Sequence, residues 1–545
     1  MKKNGCLLLF AYSLLSFSLT AATIDETYDE SLFIKSFSSR YSYVSFAFEI
    51  GASTDSTHSS VFSESSFSLF PLSIARVMDE CQVSELHIRA TRGRWDYENW
   101  KESPDNGFYS GGLGFEVWAF MANDPSMKYW LKLTNQLSGL LCASLNYIDS
   151  SNTYQPQLSY PGSFSFSNNT QYFASLPQED VCTENLSPLF KLLPCKRKAG
   201  IASLLDSHLF FDTDWHSFSI DVYPSENQSL ASVKMGIIIQ AVVDVERNGR
   251  RKGKTTFQPP SEYCHDEDMD SLHCLMSGYS TEHHTVDDLF HKVPKERCLL
   301  SSTFSDVFVS NGDKIDTFSL DEAANIQIPI QSTSDNHTVT VDRSLSNDGN
   351  HWGSLSSTIY NPSSSPRTIV YFEKFPWFVR VYLHTLTITL NGTRINTKDF
   401  IEKLYYQPLR DRKAGTMMEI QFSIPPHTNL IVHFNVEKTP LRLDEYPPDA
   451  NRGYNLPPAI ISVFDENNTK LCSLRTAALL MFIPTPDFSM PYNVIIFTST
   501  VIALTFGGIF NLLTRRFVPQ QSKFQNRQPS MLQRLKEKIF HKKRG

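Results

Sequence analysis

Cysteine and histidine are the side chains of this 545-residue chain most suited to covalent or metal chemistry, and their spacing decides between uses. Nine cysteines occur, at 6, 81, 142, 182, 195, 264, 274, 298 and 472. The stretch QEDVCTENLSPLFKLLPC, Gln178–Cys195, sets two of them around the sequon Asn185-Leu186-Ser187. Cys182 and Cys195 either bond to each other, or one of them holds another chain. The segment Glu246–Arg297 adds Cys264 and Cys274 to His265, His273, His283, His284 and His291, with Cys298 at its edge. These spacings match no common zinc pattern. The expectation is therefore no metal site, with a local Cys264–Cys274 disulfide. No G-x-S-x-G, H-E-x-x-H or Gly-rich phosphate loop is present. Carboxylate pairs for glycoside hydrolysis are recognised by geometry, not by spacing. His384 and His433 fall inside predicted strands and read as structural. No catalytic residue and no cofactor is assigned.

Thiols oxidise in secretory compartments and stay reduced or bind metal in the cytosol, so the compartment matters, and the ends of the chain indicate it. Residues 1–22 read as a signal peptide: Lys2 and Lys3, the apolar run Cys6–Phe17, then Thr20-Ala21-Ala22 before the expected cleavage. Val494–Leu513 is an uncharged run of twenty residues, about 30 Å as a helix, which predicts a span within 490–514. Residues 515–545 hold ten basic residues and one acid, which predicts a cytosolic C-terminus and a type I topology. The whole chain carries −7; without its +2 leader and +9 tail, −18 remains on the lumenal part. That excludes nucleic acid as a partner of this region, which would need a basic face. Six sequons begin at Asn168, Asn185, Asn227, Asn336, Asn391 and Asn467, all between leader and span, and predict a glycosylated ectodomain. Eight cysteines remain after the leader, and their pairing is not fixed by sequence.

The elements that must position these groups are mainly β. Met418, Ile420, Phe422 and Ile424 alternate with polar residues, and so do Val432, Phe434 and Val436 after Pro425-Pro426-His427. This reads as a β-hairpin with one buried face. Phe378–Leu390 runs into Asn391-Gly392, a pair suited to a tight hairpin turn. Asp206–Val222 and Met235–Val245 are further strand candidates. Helices are predicted at Pro71–Glu80 and Met127–Leu141. The expected architecture is a large β-sandwich-type ectodomain of two packed β-rich halves, 23–245 and 299–489, separated by a polar insertion at 246–298 and followed by the span.

Within the span Ser499, Ala503, Gly507 and Asn511 recur every fourth residue. A stripe of small residues lets helices approach closely, and an intramembrane carboxamide seeks a partner. Lys542 and Lys543 stand third and fourth from the C-terminus, as in a dilysine retrieval signal, against the simpler reading of membrane-proximal basicity. Leu532, Leu535 and Ile539 predict a short amphipathic helix among the tail's basic residues.

Five stretches carry a family resemblance: SELHIRATRGRW at 84–95, LCASLNYIDSSNT at 141–153, VCTENLSPLFKLLPCKRKAG at 181–200, PWFVRVYLHTLTI at 376–388, and PTPDFSMPYNVIIFTSTVIALTFGGIFNLLTRR at 484–516. In this order they resemble the PIG-T family of GPI transamidase subunits. The insertion and the basic tail depart most from the pattern. The resemblance implies a non-catalytic subunit of an endoplasmic reticulum membrane complex that replaces the C-terminal signal of a precursor protein with a GPI lipid. It implies that the nucleophile belongs to a PIG-K-type partner, that multispanning subunits pack beside the span near the lipid, and that the cysteine of the VCTENL motif, Cys182, makes an interchain disulfide to the PIG-K-type chain. Cys195 then pairs with Cys142 or Cys298. Two readings from other classes share the leader, sequons and span: a lumenal glycan-processing enzyme, which would turn over alone, and a cell-surface adhesion or receptor ectodomain, which would leave the endoplasmic reticulum.

Overall fold

The computed structural model describes residues 24–54, 62, 67–97, 99–101, 103–122, 126–160, 169–224, 231–251, 283–292, 296–301, 306–311, 314–320, 322, 326–330, 339–346, 351–446, 451–485 and 489–515. The expected Cys264–Cys274 disulfide, the signal peptide, Asn168, Asn227, Asn336, Lys542 and Lys543 lie outside them. Two compact units result, residues 1–484 and 485–545.

In the first unit a ten-stranded sheet comprises β1 (Ile24–Ser36), β2 (Tyr41–Thr54), β3 (Val83–Arg92), β4 (Gly114–Ala122), β5 (Thr153–Tyr154), β6 (Asn169–Leu176), β7 (Trp215–Pro224) and β8 (Ala231–Asp244). A short β9 (His283–Thr285) precedes β10 (Asp306–Asn311) and β11 (Lys314–Ser319), which complete the order β11-β10-β1-β2-β8-β7-β3-β4-β6-β5. β1 and β10 pair in parallel. After the polar insertion the chain thus returns to the first sheet before it builds the second half. Every second residue of these strands, such as Leu32, Phe46, Ile88, Val117, Phe218 and Ile237, enters one apolar core, as period-two patterning requires. Helices close that core: α1 (Leu72–Glu80), α2 (Lys128–Leu141), α3 (Thr183–Leu192), α4 (Ser207–Phe211), α5 (Val245–Arg251) and α6 (Val286–Phe290). Trp130, Leu133 and Leu137 of α2 and Leu186 and Leu189 of α3 are fully buried against the sheet. The N-terminal half is therefore one sheet under a helical layer, and the sandwich belongs to the second half.

That sandwich follows a short β12 (Gln327–Pro329). One sheet contains β13 (Thr340–Ser346), β14 (Trp352–Asn361), β16 (Val379–Leu390), β17 (Thr393–Ile395) and β20 (Thr428–Lys438). The other contains β15 (Arg367–Phe375), β18 (Lys403–Gln407), β19 (Thr416–Ile424), β22 (Ile460–Phe464) and β23 (Lys470–Arg475). A one-turn α7 (Thr397–Phe400) and the small pair β21 (Tyr454–Leu456) and β24 (Leu479–Met481) complete it. The mainly β expectation holds.

The Asn391-Gly392 turn is as expected: both residues take positive φ, 46° and 81°, and β16 pairs back on β17. The second expected hairpin is not one. β19 pairs with β15 and β18, whereas β20 pairs with β14 and β16 in the opposite sheet. Alternation fixes which face is buried, not which strand is the ladder partner. Met418, Ile420 and Phe422 meet Val432, Phe434 and Val436 in the core of the sandwich. Pro425 and Pro426 carry no N–H for a ladder, and the buried Asn361 amide satisfies the carbonyls of Ile424 and Pro425 at 3.2 and 3.1 Å. Asp206–Val222 also divides, into α4 and β7, with Asp206 capping α4 through His208 N–H at 3.0 Å.

The two halves meet through the polar side of the first sheet. Trp118, Tyr154, Tyr160 and Phe173 pack there on Phe372, Met417 and Ile460. Charges are buried among these rings. Glu116 accepts from Gly112 N–H at 3.0 Å and lies 3.5 Å from the Arg475 guanidinium, which also donates to the Gly107 carbonyl at 2.6 Å. Glu419 accepts from the backbone N–H of Gln157 and Ser159 at 2.6 and 3.0 Å. Lys374 donates to the Pro458 carbonyl at 2.8 Å, 5.0 Å from the Phe173 ring. Burial pushes the Lys374 amine down to about 8, against the pull of Glu116 and Glu373. Removing one partner of a buried ion pair leaves a charge without compensation. Arg475→Met is therefore expected to cost about 3–5 kcal/mol, read as a lower thermal midpoint of the purified chain. Arg475→Met with Glu116→Leu should recover much of that loss; an unchanged midpoint in the single variant would show that the pair does not hold the halves together.

Candidate assembly site

Helix α3 buries Leu186, Leu189, Phe190 and Leu192. This apolar face fixes the helix on the core and leaves its first residues at the surface. Cys182 is the N-cap residue, in extended conformation, exposed and not disulfide-bonded. Asn185, at the third helical position, is 1% exposed. Its Oδ1 accepts from the Cys182 N–H at 2.7 Å. Its Nδ2 donates to the carbonyls of Leu141 and Cys142 at 3.1 and 2.9 Å. One carboxamide thus caps the start of α3 and the end of α2, where backbone groups lack intrahelical partners. Cys142 closes α2 in the left-handed region, φ 53°, and is likewise exposed and not disulfide-bonded.

At the far end of α3, Cys195 is bonded to Cys298, with Cα atoms 6.0 Å apart at a sequence separation of 103. The Gly200 N–H donates to the Glu296 carbonyl beside this bridge at 2.7 Å. Cys195 is therefore occupied, and Cys182 does not bond to it. Cys81 is buried and donates to Gln136 Oε1 at 3.1 Å, and burial raises its thiol to about 11. Cys472 is buried within the sandwich. Among the described cysteines, the exposed thiols outside disulfides are Cys142 and Cys182.

In the Asn185 sequon the Nδ2, the atom a glycan would occupy, is enclosed and bonded to two carbonyls, and the asparagine serves as a structural cap in this fold. Asn391 and Asn467 are exposed. Among the described residues no group of three or more His, Cys, Asp or Glu could hold a metal.

The nearest approach to a reaction centre is a cluster that sequence reasoning missed. His87 binds Asp221 through Nδ1 at 2.5 Å and Glu85 through Nε2 at 2.7 Å, and Arg89 lies 2.7 Å from Asp221. Burial opposes charge on His87, but its two carboxylate partners hold its pKa above the usual value. Both ring nitrogens are spent on carboxylates, so the ring is an ion-pair partner and not a base poised for a nucleophile. The sequence signal was the polar alternation Glu85, His87, Arg89 within an apolar strand.

In the second unit α8 (Ser489–Thr514) is long and apolar enough to cross a membrane. Thr498, Thr500, Thr505 and Thr514 each donate to the carbonyl four residues back at 2.7 Å, so these hydroxyls are satisfied inside the helix. Ser499, Ala503 and Asn511 are exposed, and a Cβ at Gly507 would meet nothing within 4 Å.

The described residues thus form a mainly β body followed by one helix long and apolar enough to cross a membrane. The family model described as "Gpi16 subunit, GPI transamidase component" matches residues 9–540. The chain is 33% identical to the GPI transamidase component GPI16 of Saccharomyces cerevisiae, over 95% of this chain and 94% of that protein. It is 31% identical to the GPI-anchor transamidase component PIGT of Mus musculus, over 84% and 85%, and 30% identical to that of Homo sapiens, over 83% and 84%. The chain belongs to the Gpi16 family of GPI transamidase components.

Capping by Asn185 has a direct readout. Asn185→Gln should leave the glycosidase-induced mobility shift unchanged, because no glycan is lost, while lowering the thermal midpoint by the equivalent of about 1–3 kcal/mol as buried carbonyls lose their donor. A smaller glycosidase shift in this variant would show that Asn185 carries a glycan.

Proposed function

We propose that the chain is a non-catalytic subunit of the GPI transamidase complex of the endoplasmic reticulum membrane, with its folded body lumenal and its C-terminus cytosolic. It joins a catalytic PIG-K-type subunit to multispanning subunits during transfer of precursor proteins to GPI lipid. Family membership supports the complex. The observation that carries the residue-level reading is the exposed Cys182 at the start of α3, while Cys195 is engaged with Cys298. The thiol sits where a second chain can reach it, and the helix behind it is anchored in the core. A disulfide there raises the effective concentration of two subunits that already touch. Its loss weakens the complex and does not abolish it. α8 supplies a second contact through Ser499, Ala503, Gly507 and Asn511. Lys542 and Lys543 contribute to residence in the endoplasmic reticulum, and Asn391 and Asn467 are glycan acceptors.

On non-reducing electrophoresis the chain should run partly as a larger heterodimer that collapses on reduction. Cys182→Ser should lose that band, and Cys81→Ser should keep it. A heterodimer that survives Cys182→Ser would overturn the assignment.

Gly507 provides an independent test of the span. Among the described residues, a Cβ at this position meets no heavy atom within 4 Å. A leucine there therefore disturbs only packing against another helix. Gly507→Leu should reduce co-purification of multispanning subunits in mild detergent at unchanged membrane levels of the chain. Equal yield of the complete complex would reduce the stripe to a lipid-facing surface.

A further inference from the structure

The two exposed thiols are not scattered over the surface. They sit on opposite sides of one buried amide. Asn185 Oδ1 holds the Cys182 N–H at 2.7 Å and Asn185 Nδ2 holds the Cys142 carbonyl at 2.9 Å. The Cys142 oxygen and the Cys182 nitrogen are thus separated by about 8 Å at most, the width of a carboxamide plus two hydrogen bonds. The two residues are therefore neighbours at the surface, and a disulfide closes when the helix ends draw their Cα atoms to roughly 4.4–6.8 Å. Both residues lie at the ends of their helical ladders, one as N-cap and one as C-cap.

We propose that Cys142 is the resolving thiol of the Cys182 bridge. The inference rests on the assignment of Cys182 to an intersubunit disulfide. In the forward step the Cys142 thiolate attacks Sγ of Cys182 in the mixed disulfide. The Cys142–Cys182 bond forms, the bond from Cys182 to the partner sulfur breaks, and the partner cysteine leaves as a thiolate that takes up the proton lost from Cys142. No electrons enter or leave the set of three sulfurs, so no external oxidant or reductant is needed. The reverse step is the assembly route. In a chain folded alone, whose two thiols are free in this structure, a disulfide-donating oxidoreductase of the secretory lumen takes up two electrons and two protons and leaves the internal Cys142–Cys182 disulfide; an incoming partner thiolate then attacks Cys182 and releases Cys142. The internal bond also keeps Cys182 from capturing unrelated thiols before the partner arrives.

The test uses the full chain in mild detergent. Expressed without partner subunits and alkylated on lysis, it should yield a peptide pair linked through Cys142 and Cys182, absent from Cys142→Ser and from Cys142→Ala. In the assembled complex held at mildly alkaline pH without reductant and quenched with acid, the wild-type heterodimer should exchange to bridge-free chain at least about tenfold faster than the Cys142 variants. Thermal midpoints matching wild type establish that these variants fold. A Cys182-dependent heterodimer with equal exchange rates in wild type and variants, and no Cys142–Cys182 peptide, overturns the resolving role alone. Absence of any Cys182-dependent heterodimer overturns the bridge itself, and with it this proposal.

Discussion

The first sheet has one greasy face and one charged face, and the charged face is nevertheless covered. That constraint shapes the molecule. Glu116, Arg475, Lys374 and Glu419 lose their water where the two halves meet, so each must find a donor or acceptor in protein. Arg475 and Glu419 do so by crossing the boundary, to Gly107 and to the backbone at 157–159, while Lys374 donates within its own half to Pro458 and faces the Phe173 ring across it. Apolar contact alone would permit the halves to slide. Directional bonds to backbone groups at fixed positions do not. The seam therefore acts as registration between two layers, with Arg343 and Glu373, both fully buried and 2.9 Å apart, continuing it into the sandwich.

The cysteine region depends on the same rigidity. α2 and α3 lie on the opposite face of the sheet from the seam, and their apolar faces are part of the core that the sheet closes. A thiol at a helix end is useful for assembly only if the helix is held still. Asn185 does this locally, while the Cys195–Cys298 bond ties down the segment that follows. The proposed bridge at Cys182 is thus backed by packing and capping.

The legible part of the fold was the part written in local patterns. The Asn391-Gly392 turn, the period-two strands and the limits of α1 and α2 follow from nearest neighbours in sequence, and the structure differs by a residue or so. The strand pair around Pro425-Pro426 was misread because alternation says nothing about which of two sheets a strand joins. Asn185 follows a related rule: Asn-x-Ser is a sequon by composition, and burial is what reveals that the same asparagine, three residues after an N-cap position, is a cap. Cys142 gave no local signal at all, since its proximity to Cys182 is created by two helix ends meeting. The seam had a signal that went unused: Glu373-Lys374 and Glu419 are charges inside strands otherwise buried on both faces, an arrangement that a protein tolerates only when partners wait on the other side.

The bond between Cys195 and Cys298 makes the intervening chain a covalent ring. β7, β8 and the whole polar insertion lie on that ring, while everything before and after it hangs from a single knot. A protease that nicks the insertion opens the ring without dividing the molecule, and the fragments separate only when the knot is reduced.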